Sequence, residues 1–326
     1  MRDVADAAGV SQSTVSHVIN GTRSIQTQTE RAVREAIEQL GYVNDGIARS
    51  LRTGTSHTIG LAMSAISNPY FGDVVHPIEE LLSNRGYSLL LTDTHDDPVR
   101  ELRAVADLLV NRPAGMIMAP SAEPRAAFKA IAARKIPVVS IDRMSAGTDS
   151  VGVENVQPTA DLVTHLAELG HTRIAMVEGR PGLTTTEERL EGYRKGLKAS
   201  GLRYRADLLI PGESKGPTAY AAVTAAIQKK NPPTAIVIGN NQMTIGTVRA
   251  LRDANLKIPQ DIAIVGFDDF EWSDLFSPRL TTVAQPVDEM ARVAVAMLFD
   301  RMNEPDRTFR HIRQTPQFIH RDSCGC

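Results

Sequence analysis

From Thr58 onwards the sequence alternates between short apolar runs and longer helical patterns. The first group of apolar runs is TIGLAMSAI, YSLLLTD, AGMIMAP and PVVSID, and a later group is RIAMVEG, DLLIPG, AIVIGNN and AIVGFDD. This alternation is typical of parallel sheets covered by helices. It contains too many units for one compact sheet, and a break near residues 150–160 therefore predicts two lobes. The last helical pattern, DEMARVAVAMLFDRM, is a candidate to cross back to the first lobe.

The first ~55 residues contain no convincing strand pattern and predict a small helical domain. A first helix places Val4, Ala5 and Ala8 on one face, and Gly9 can end it in a left-handed conformation. Ser11 is a suitable N-cap for a second helix that runs to about Asn20. Two helices joined through such a short, glycine-containing turn predict a helix-turn-helix.

A third helix is predicted from about Gln28 to Leu40, with Thr27 and Glu30 forming a capping box. Its expected buried stripe consists of Ala32, Val33, Ala36, Ile37 and Leu40.

The second predicted helix has two distinct faces. Val15, Val18 and Ile19 recur at helical spacing and should face a core. The opposite face carries hydrogen-bonding side chains of moderate length, where a merely solvated face more often carries Lys and Glu. Such a helix fits the DNA major groove. The alternative is a three-helix bundle used for protein contact, and residues 1–57 indeed carry as many acidic residues as arginines, without the basic excess usual in DNA-binding domains.

The segment DGIARSLR could form about two helical turns, which are marginal in water unless a partner orders them. Ile47, Ala48 and Leu51 would form an apolar ridge flanked by Arg49 and Arg52. Two such ridges, paired across a dimer axis, could enter a minor groove with Leu51 as a wedge. The alternative is an ordinary tether.

The composition is that of an ordinary globular protein, with 42% hydrophobic and 23% charged residues in 326. The net charge of −2 supports no global attraction to nucleic acid or membrane. Cys324 and Cys326 are too close in sequence to staple a domain, and as two thiols alone they are a poor metal site, so a reduced tail without metal or cofactor is expected. No apolar run reaches ~18 residues and no signal segment is recognisable, which predicts a cytoplasmic protein without membrane contact.

The segments DVADAAGVSQSTVSHVING and AIEQLGYVNDGIARSLRTGTSHTIGL resemble the amino terminus of the LacI/GalR family of transcription regulators, which includes the lactose and purine repressors. The resemblance continues through NPYF, PVVSIDR, LGHTRIAMVEG, RLEGY, IPQDIAIVGFDD and SPRLTTVAQP. It implies a ligand-responsive regulator, most often a repressor, that binds a near-palindromic double-stranded operator as a homodimer. The absence of an added leucine-heptad helix favours a dimer over a tetramer.

The fold that the resemblance implies has three parts. A helix-turn-helix domain is expected over residues 1–44 and a hinge helix or linker over 45–56. Residues 57–326 are expected to form a periplasmic-binding-protein-like α/β domain for effector binding and dimerisation, with two doubly wound parallel-sheet lobes. Lobe 1 should comprise about 57–156 plus 286–314, and lobe 2 about 157–285 plus 315–326.

The resemblance places base readout on Gln12, Ser13 and His17, and in the linker it implies Leu51 as a minor-groove wedge with Arg52 beside it. Ser11, Ser16 and Asn20 suit phosphate oxygens by their chemistry. The full expected set is Ser11, Gln12, Ser13, Ser16, His17, Asn20, Arg23, Ala48, Leu51 and Arg52.

Ligands of open α/β sheets bind beyond the carboxyl ends of the strands, which directs attention to the polar residues that follow each strand. Aromatic faces beside Arg, Asp and Asn suit a polyhydroxylated ligand such as a sugar. The resemblance points to the same positions. The expected effector set is Tyr70, Phe71, Arg143, Thr185, Arg189, Asn240, Asp268 and Trp272, with Asn68, Asp142, Asn241 and Asp269 as neighbouring candidates.

Several of these residues also have structural interpretations. Tyr70 and Phe71 could belong to the core, Asp268 could cap a helix, and Trp272 could serve packing. Two positions depart from the family pattern: Asn241 stands where an Asp often follows Asn240, and Ser214 stands where relatives often place an aromatic residue. These departures allow an effector other than a simple hexose or purine.

Two other classes of protein share parts of this pattern: a cleft-binding α/β enzyme, and a solute-binding protein without DNA function. The sequence has no G-x-G-x-x-G after the first strand, no phosphate loop and no metalloprotease or serine-elbow motif. The acidic DTHDDP segment (93–98) could hold a cation, but a solvated strand-to-helix loop is the simpler interpretation. A secreted solute-binding protein would require a signal peptide and would not carry a helix-turn-helix.

Overall fold

The computed structural model describes residues 1–20, 23–42, 56–64, 66 and 68–326. The chain divides into two compact units, Met1–Ser56 and His57–Cys326. Three of the expected DNA contacts, Ala48, Leu51 and Arg52, and the side chain of Asn20 lie outside the described residues.

The amino-terminal unit contains helices α1 (Arg2–Ala8), α2 (Gln12–Asn20) and α3 (Thr27–Gln39). Its core is formed by Val4, Ala5, Val15, Val33 and Ala36, all of which are buried. The other predicted apolar residues of α2 are partly buried and pack against this core. The prediction that one face of α2 is a core face is therefore confirmed.

The helix ends match the sequence at two places and differ at two others. Gly9 adopts a left-handed conformation (φ 65°), and Ser11 Oγ accepts a hydrogen bond from the backbone N–H of Thr14 at 3.2 Å, as predicted. The predicted capping box was wrong, because α3 begins at Thr27 itself and the carboxylate of Glu30 instead pairs with the Arg34 guanidinium one turn later, at 2.7 Å. The burial predicted for Leu40 was also wrong.

Leu40 is 49% exposed because it follows the last residue of α3, after which the chain turns away through Gly41 with a positive φ of 55°.

The second unit contains two six-stranded sheets. The first has the order β11-β5-β4-β3-β1-β2, and its strands are β1 (Thr58–Met63), β2 (Ser88–Asp93), β3 (Gly115–Met118), β4 (Val138–Asp142), β5 (Asp149–Val153) and β11 (His311–Gln314). The second has the order β12-β10-β9-β8-β6-β7, and its strands are β6 (Ile174–Glu178), β7 (Leu209–Pro211), β8 (Ala235–Ile238), β9 (Ala263–Phe267), β10 (Thr281–Ala284) and β12 (Gln317–Ile319).

Eight helices cover these sheets in the described part of the second unit. They are α4 (Pro69–Ser83), α5 (Pro98–Val110), α6 (Arg125–Ala133), α7 (Val156–Glu168), α8 (Thr184–Ala199), α9 (Gly216–Ile227), α10 (Asn241–Asp253) and α11 (Val287–Asn303). Short 3-10 segments lie at Ala206–Leu208 and Glu271–Leu275.

The two sheets have closely related topologies. All strand pairs of the first sheet are parallel, as are those of the second apart from β12, which pairs with β10 in the antiparallel sense. The chain passes between the sheets after β5, after β10 and after β11, and α11 packs against α4 and β4 of the first lobe. The predicted α/β architecture of two parallel-sheet lobes is therefore confirmed.

The core explains why these runs form central strands. Residues such as Ile59, Leu61, Ile117, Ile141 and Val237 are almost fully buried, as expected for parallel strands covered on both faces. None of the helices in the described part of the chain has the length and apolar character needed to cross a bilayer.

Candidate functional site

A cavity opens between the two lobes, at the ends of their strands. Its empty volume is about 570 Å³, including its opening to solvent. Lobe 1 lines it with Asn68, Tyr70, Phe71, Asp96, Asp142 and Arg143, and lobe 2 with Met176, Gly179, Leu183, Thr185, Thr186, Arg189, Ser214, Gly239, Asn240 and Asp268. Gln285, which follows β10 at a crossover, completes the lining.

The start of α4 positions the aromatic side chains of the cavity. Asn68 caps this helix, because its Oδ1 accepts a hydrogen bond from the backbone N–H of Tyr70 at 3.1 Å. The cap places Tyr70 and Phe71 in the first turn with their rings edge to face, 5.1 Å between centroids. Both residues also belong to the hydrophobic core, so the structural and the functional interpretation of this pair hold together.

Lobe 1 supplies an ion-paired cluster. The guanidinium of Arg143 donates from Nη1 to Asp96 Oδ1 and to the carbonyl oxygen of Pro120, and its Nε lies 3.4 Å from Asp142 Oδ2. Burial would lower the pKa of Arg143, but the carboxylates of Asp96 and Asp142 outweigh it and raise the pKa. Burial would likewise raise the pKa of Asp96, but Arg143 and a hydrogen bond from Ser64 hold it below its usual value.

Lobe 2 supplies a carboxyl group in the corresponding place. Asp268 directly follows β9, and Asp142 ends β4. These two strands occupy the same place, the third, in the spatial order of their sheets. Both residues have a left-handed backbone, with φ of 68° for Asp142 and 73° for Asp268. Burial raises the pKa of Asp268 despite the opposing charge of Arg189 and a hydrogen bond from Gln285.

Arg189 is held by neighbours other than a carboxylate. Its Nε donates to Asn155 Oδ1 at 2.9 Å and its Nη1 donates to the carbonyl oxygen of Gly239. The guanidinium lies over the ring of Phe267, 3.6 Å from the centroid. Stacking and two hydrogen bonds fix this cation at the cavity wall, where its charge faces Asp268.

A chain of hydrogen bonds joins the two lobes across the cavity. The hydroxyl of Tyr70 shares its one proton between two acceptors, Asp142 Oδ1 at 2.8 Å and Gln285 Oε1 at 3.2 Å. Gln285 in turn donates from Nε2 to Asp268 Oδ1 at 2.6 Å. Burial, followed by the two nearby carboxyl groups, raises the pKa of Tyr70 well above its ordinary value, so the phenol stays a proton donor.

The start of α10 contributes the amide side chains. Asn240 caps this helix by accepting the backbone N–H of Met243 at 2.8 Å. The backbone N–H of Asn241 approaches Asp268 Oδ2 at 3.3 Å, whereas neither polar atom of the buried Asn241 side chain has a hydrogen-bond partner among the described residues. Asn241 therefore stands behind the cavity wall and is not part of its lining.

The cavity brings together seven of the eight predicted effector residues: Tyr70, Phe71, Arg143, Thr185, Arg189, Asn240 and Asp268. Trp272 is not in the lining; its ring packs on Phe270 at 3.9 Å and on Phe276 at 5.4 Å, as its packing interpretation had it. Asp269 is likewise outside the lining and bonds Arg321.

Sequence reasoning missed Asp96 and Gln285 as lining residues. Asp96 belongs to the DTHDDP loop, for which the sequence favours a solvated conformation, but it is 8% exposed because Arg143 and Ser64 bind its carboxylate. The signal available was its place after a strand, β2. Gln285 follows β10, and only the crossover after that strand turns it towards both lobes.

The amino-terminal unit presents a hydroxyl and amide surface along α2. Gln12 and Ser13 are exposed, Ser16 and His17 are half-buried, and Arg23 beyond the helix is exposed. Ser11 Oγ lies 2.7 Å from Ser13 Oγ at the beginning of the helix, where backbone N–H groups also point outward. These side chains can offer both donors and acceptors to a polar partner.

A helix-turn-helix unit followed by two parallel-sheet lobes around a polar cavity is the architecture of transcriptional regulators in which one chain binds both DNA and a ligand. Residues 1–45 match the model of the bacterial regulatory proteins of the lacI family, and residues 163–324 match that of a periplasmic binding protein-like domain.

The relatives cover nearly the whole chain. It is 35% identical over 327 residues to the ribose operon repressor of Escherichia coli K12, covering 99% of each chain, and 32% identical over 328 residues to the transcriptional repressor PurR of Haemophilus influenzae PittEE, covering 99% of this chain and 98% of the relative. The crystal structure of the lac repressor dimer bound to operator and an anti-inducer matches with 27% identity and a TM-score of 0.86, over 99% of this chain and 98% of the other.

A complex of the regulator CelR with cellobiose matches with 26% identity and a TM-score of 0.74, covering 98% of each chain. The protein described here belongs to the lacI family. It is a ligand-responsive, DNA-binding transcriptional regulator and not an enzyme.

Proposed function

We propose that this protein is a dimeric repressor whose cavity binds a neutral monosaccharide, with ribose as the first candidate, and that the bound sugar changes its affinity for a near-palindromic operator. The cell compartment proposed for it is the cytoplasm, where operator DNA is accessible.

The choice of a neutral sugar depends on the charges that line the cavity. Among the lining residues, the guanidinium groups of Arg143 and Arg189 face three carboxyl groups, those of Asp96, Asp142 and Asp268. An anionic ligand would have to compete with Asp96 and Asp142 for Arg143, and it would bring a second negative charge close to Asp268. Sugar hydroxyls instead donate to carboxylates and accept from guanidinium groups at the same time.

The apolar part of the lining favours a ring with a C–H face. Tyr70 and Phe71 present aromatic surface, to which Met176 and Leu183 add aliphatic surface. A sugar ring can pack its C–H face there while its hydroxyls reach the charged groups. Ribose comes first because the Escherichia coli relative, at 35% identity, is named the ribose operon repressor.

For DNA we propose that α2 lies in the major groove, with Gln12, Ser13 and His17 reading base edges. The helix N-terminus with Ser11, together with Ser16, Asn20 and Arg23, would contact phosphate oxygens. Ala48, Leu51 and Arg52 keep the minor-groove role that the family resemblance implies. A dimer is proposed because the matching lac repressor was captured as a dimer on its operator.

The hydrogen-bond chain from Asp142 through Tyr70 and Gln285 to Asp268 supports coupling between the cavity and lobe arrangement. A sugar that replaces some of these bonds will favour a different lobe closure. An effector acts only through its different affinity for the two arrangements.

A ligand screen tests the effector. The untagged protein is heated with ribose, other pentoses, hexoses, ribose 5-phosphate and purine bases, and its melting temperature is recorded. We expect ribose or a closely similar neutral sugar to raise the melting temperature of the wild type but not that of Asp268→Asn. Ribose 5-phosphate should have little effect. Preferential stabilisation by an anionic sugar or by a purine would contradict the proposed effector.

Operator binding is tested separately. Double-stranded sites are selected from random DNA by the full-length protein and examined for two-fold symmetry. Gln12→Ala should weaken binding to the selected site by about 1–3 kcal/mol and reduce the sequence preference at one base position. Leu51→Ala should lower operator affinity but leave sugar affinity nearly unchanged. An equal loss of both affinities would contradict the proposed role of Leu51 as a minor-groove wedge.

A further inference from the structure

Two histidines and two cysteines meet at the edge of lobe 2, away from the cavity. His165 lies on α7, His320 follows β12 directly, and Cys324 and Cys326 lie in the segment after it. His320 Nε2 is 2.9 Å from Cys326 Sγ and 3.4 Å from Cys324 Sγ, and the two sulfur atoms are 3.5 Å apart. His165 Nε2 is 3.7 Å from Cys326 Sγ, and all four atoms lie within 4.8 Å of one another.

These separations are close to the edges of one coordination tetrahedron. Zinc binds cysteine sulfur at about 2.3 Å and histidine nitrogen at about 2.0–2.1 Å, which puts neighbouring ligand atoms about 3.4–3.8 Å apart. Three of the four measured separations fall on or near this range, and the fourth is shorter. The two remaining separations, from His165 to Cys324 and to His320, are within 4.8 Å, so the His165 side chain would have to turn towards the other three ligands to complete the tetrahedron.

The chemistry of the donors selects the metal. The set consists of two sulfur and two imidazole nitrogen atoms, without a carboxylate. Soft sulfur and imidazole ligands favour zinc, whereas calcium and magnesium require oxygen ligands. Two thiolates would also neutralise the charge of one Zn²⁺.

The surroundings support the buried sulfur. Cys324 is 1% exposed, and Thr281 Oγ1 donates to its Sγ at 3.3 Å. The same hydroxyl oxygen accepts the backbone N–H of Arg321 at 3.0 Å, so its hydrogen is directed to the sulfur. Outer hydrogen bonds of this kind orient the ligands of metal sites. The ring of His165 is fixed edge to face against Phe318, at 5.5 Å.

We propose that His165, His320, Cys324 and Cys326 bind one Zn²⁺ and thereby fasten the segment after β12 to α7. Each thiol gives up its proton on binding and each imidazole coordinates in its neutral form. The two thiols of the CGC segment alone are a poor metal site, and only the fold brings His165 next to them. The site is independent of the sugar proposed for the cavity.

The consequence is mechanical. β12 pairs with β10, and β10 leads into Gln285 of the interlobe hydrogen-bond chain. An ion that holds the segment after β12 on α7 stabilises this part of lobe 2, because binding free energy that depends on the folded geometry adds to folding.

Zinc binding is tested on the untagged, full-length protein, reduced and stripped with a chelator. We expect one zinc ion per chain in competition with a chromophoric chelator, and a rise in melting temperature on addition of zinc. Loss of a residue that only hydrogen-bonds a metal ligand typically lowers metal affinity about 10- to 100-fold. Cys326→Ser and His165→Gln should each lower zinc affinity by more than this. His76→Gln, an exposed histidine on α4, is the matched control and should bind zinc as the wild type does.

Cobalt provides a second readout that does not depend on stability. The wild type should show thiolate-to-cobalt charge transfer and the intense visible bands of tetrahedral Co²⁺, and Cys326→Ser should weaken the charge transfer. Cys326 is preferred to the buried Cys324 because its replacement disturbs less packing; circular dichroism checks the fold. No zinc binding, equal binding by all variants, or a Cys324–Cys326 disulfide that persists in the presence of reductant would overturn the proposal.

Discussion

The two lobes line the cavity with residues from equivalent strands but differ in how their charged side chains are paired. In lobe 1, Asp142 has Arg143 as its chain neighbour, and that guanidinium also binds Asp96 inside the same lobe. In lobe 2, Asp268 faces an Arg189 whose hydrogen bonds go to Asn155 and to a carbonyl oxygen instead. The pKa of Asp96 is accordingly lowered and that of Asp268 raised.

This difference separates folding from binding. The cluster of lobe 1 is largely satisfied by its own members, so it should contribute mainly to stability and shape. The carboxyl group of lobe 2 is buried at a cost that a ligand hydroxyl can reduce. We therefore expect the lobe 1 charges to control folding and the lobe 2 charges to control effector affinity.

The largest expected effect is that of Arg143→Ala. Removing this guanidinium leaves the buried Asp96 and Asp142 without their cation, which should lower the free energy of unfolding by about 3–5 kcal/mol. Chemical denaturation of the unliganded protein measures it. Arg100→Ala, an exposed arginine that lines a neighbouring pocket together with Asp96, should change stability by less than about 0.5 kcal/mol. Similar stabilities of the two variants would break the comparison.

Asp268→Asn should have the second largest effect, on sugar affinity. Loss of a charged acceptor costs about 1.5–3 kcal/mol, or roughly 10- to 100-fold in the dissociation constant. Calorimetric titration with the sugar found in the screen measures it, and Glu271→Gln on the neighbouring exposed segment is the control. A loss of stability instead of affinity would show that Asp268 is structural.

The pH dependence should differ between the two carboxyl groups. Asp96 has a lowered pKa, so its stabilising effect is complete above the unfolded value of 3.8 and is lost as the pH falls through the lower folded pKa. Asp268 has a raised pKa, so the cost of its buried charge is present at high pH and disappears as the pH falls through that pKa towards 3.8.

A sugar hydroxyl that donates to Asp268 favours the ionised form. Sugar affinity should therefore fall as the pH drops through the raised pKa of Asp268, and Asp268→Asn should lose this dependence. Titrations from neutral pH downward measure it. A pH dependence that persists unchanged in the variant would assign it to another group.

Tyr70→Phe should have the smallest effect of this series. It removes the hydroxyl between Asp142 and Gln285 and keeps the ring, so sugar affinity should change by about 1 kcal/mol, or roughly fivefold. Titration of both proteins with the sugar measures the change. An effect as large as that of Asp268→Asn would mean that the bridge between the lobes, rather than the lobe 2 carboxyl group, dominates binding.

Sequence patterns predicted more of the cavity than of its internal connections. Asp142, Arg143, Asn240 and Asp268 were found because polar residues that follow parallel strands collect at one edge of a sheet. Trp272 follows β9 in the same way, yet the 3-10 segment turns its ring onto Phe270, which periodicity does not reveal.

Long-range partners were the other gap. Nothing in the sequence shows that Asp96 meets Arg143, or that His165 meets His320 and the final cysteines, because these pairs depend on how distant strands are ordered. The capping box predicted for α3 was wrong for a local reason: Glu30 pairs with Arg34 instead. A pattern identifies a possible bond but not its competitors.

The central claim is that a sugar bound between the lobes changes the affinity of the amino-terminal domain for operator DNA. It is tested most directly by measuring operator affinity with and without the sugar, for the wild type and for Asp268→Asn, at one salt concentration. We predict that the sugar changes wild-type operator affinity by about tenfold or more and leaves that of the variant nearly unchanged. Equal operator affinity with and without a sugar that demonstrably fills the wild-type cavity would contradict the account.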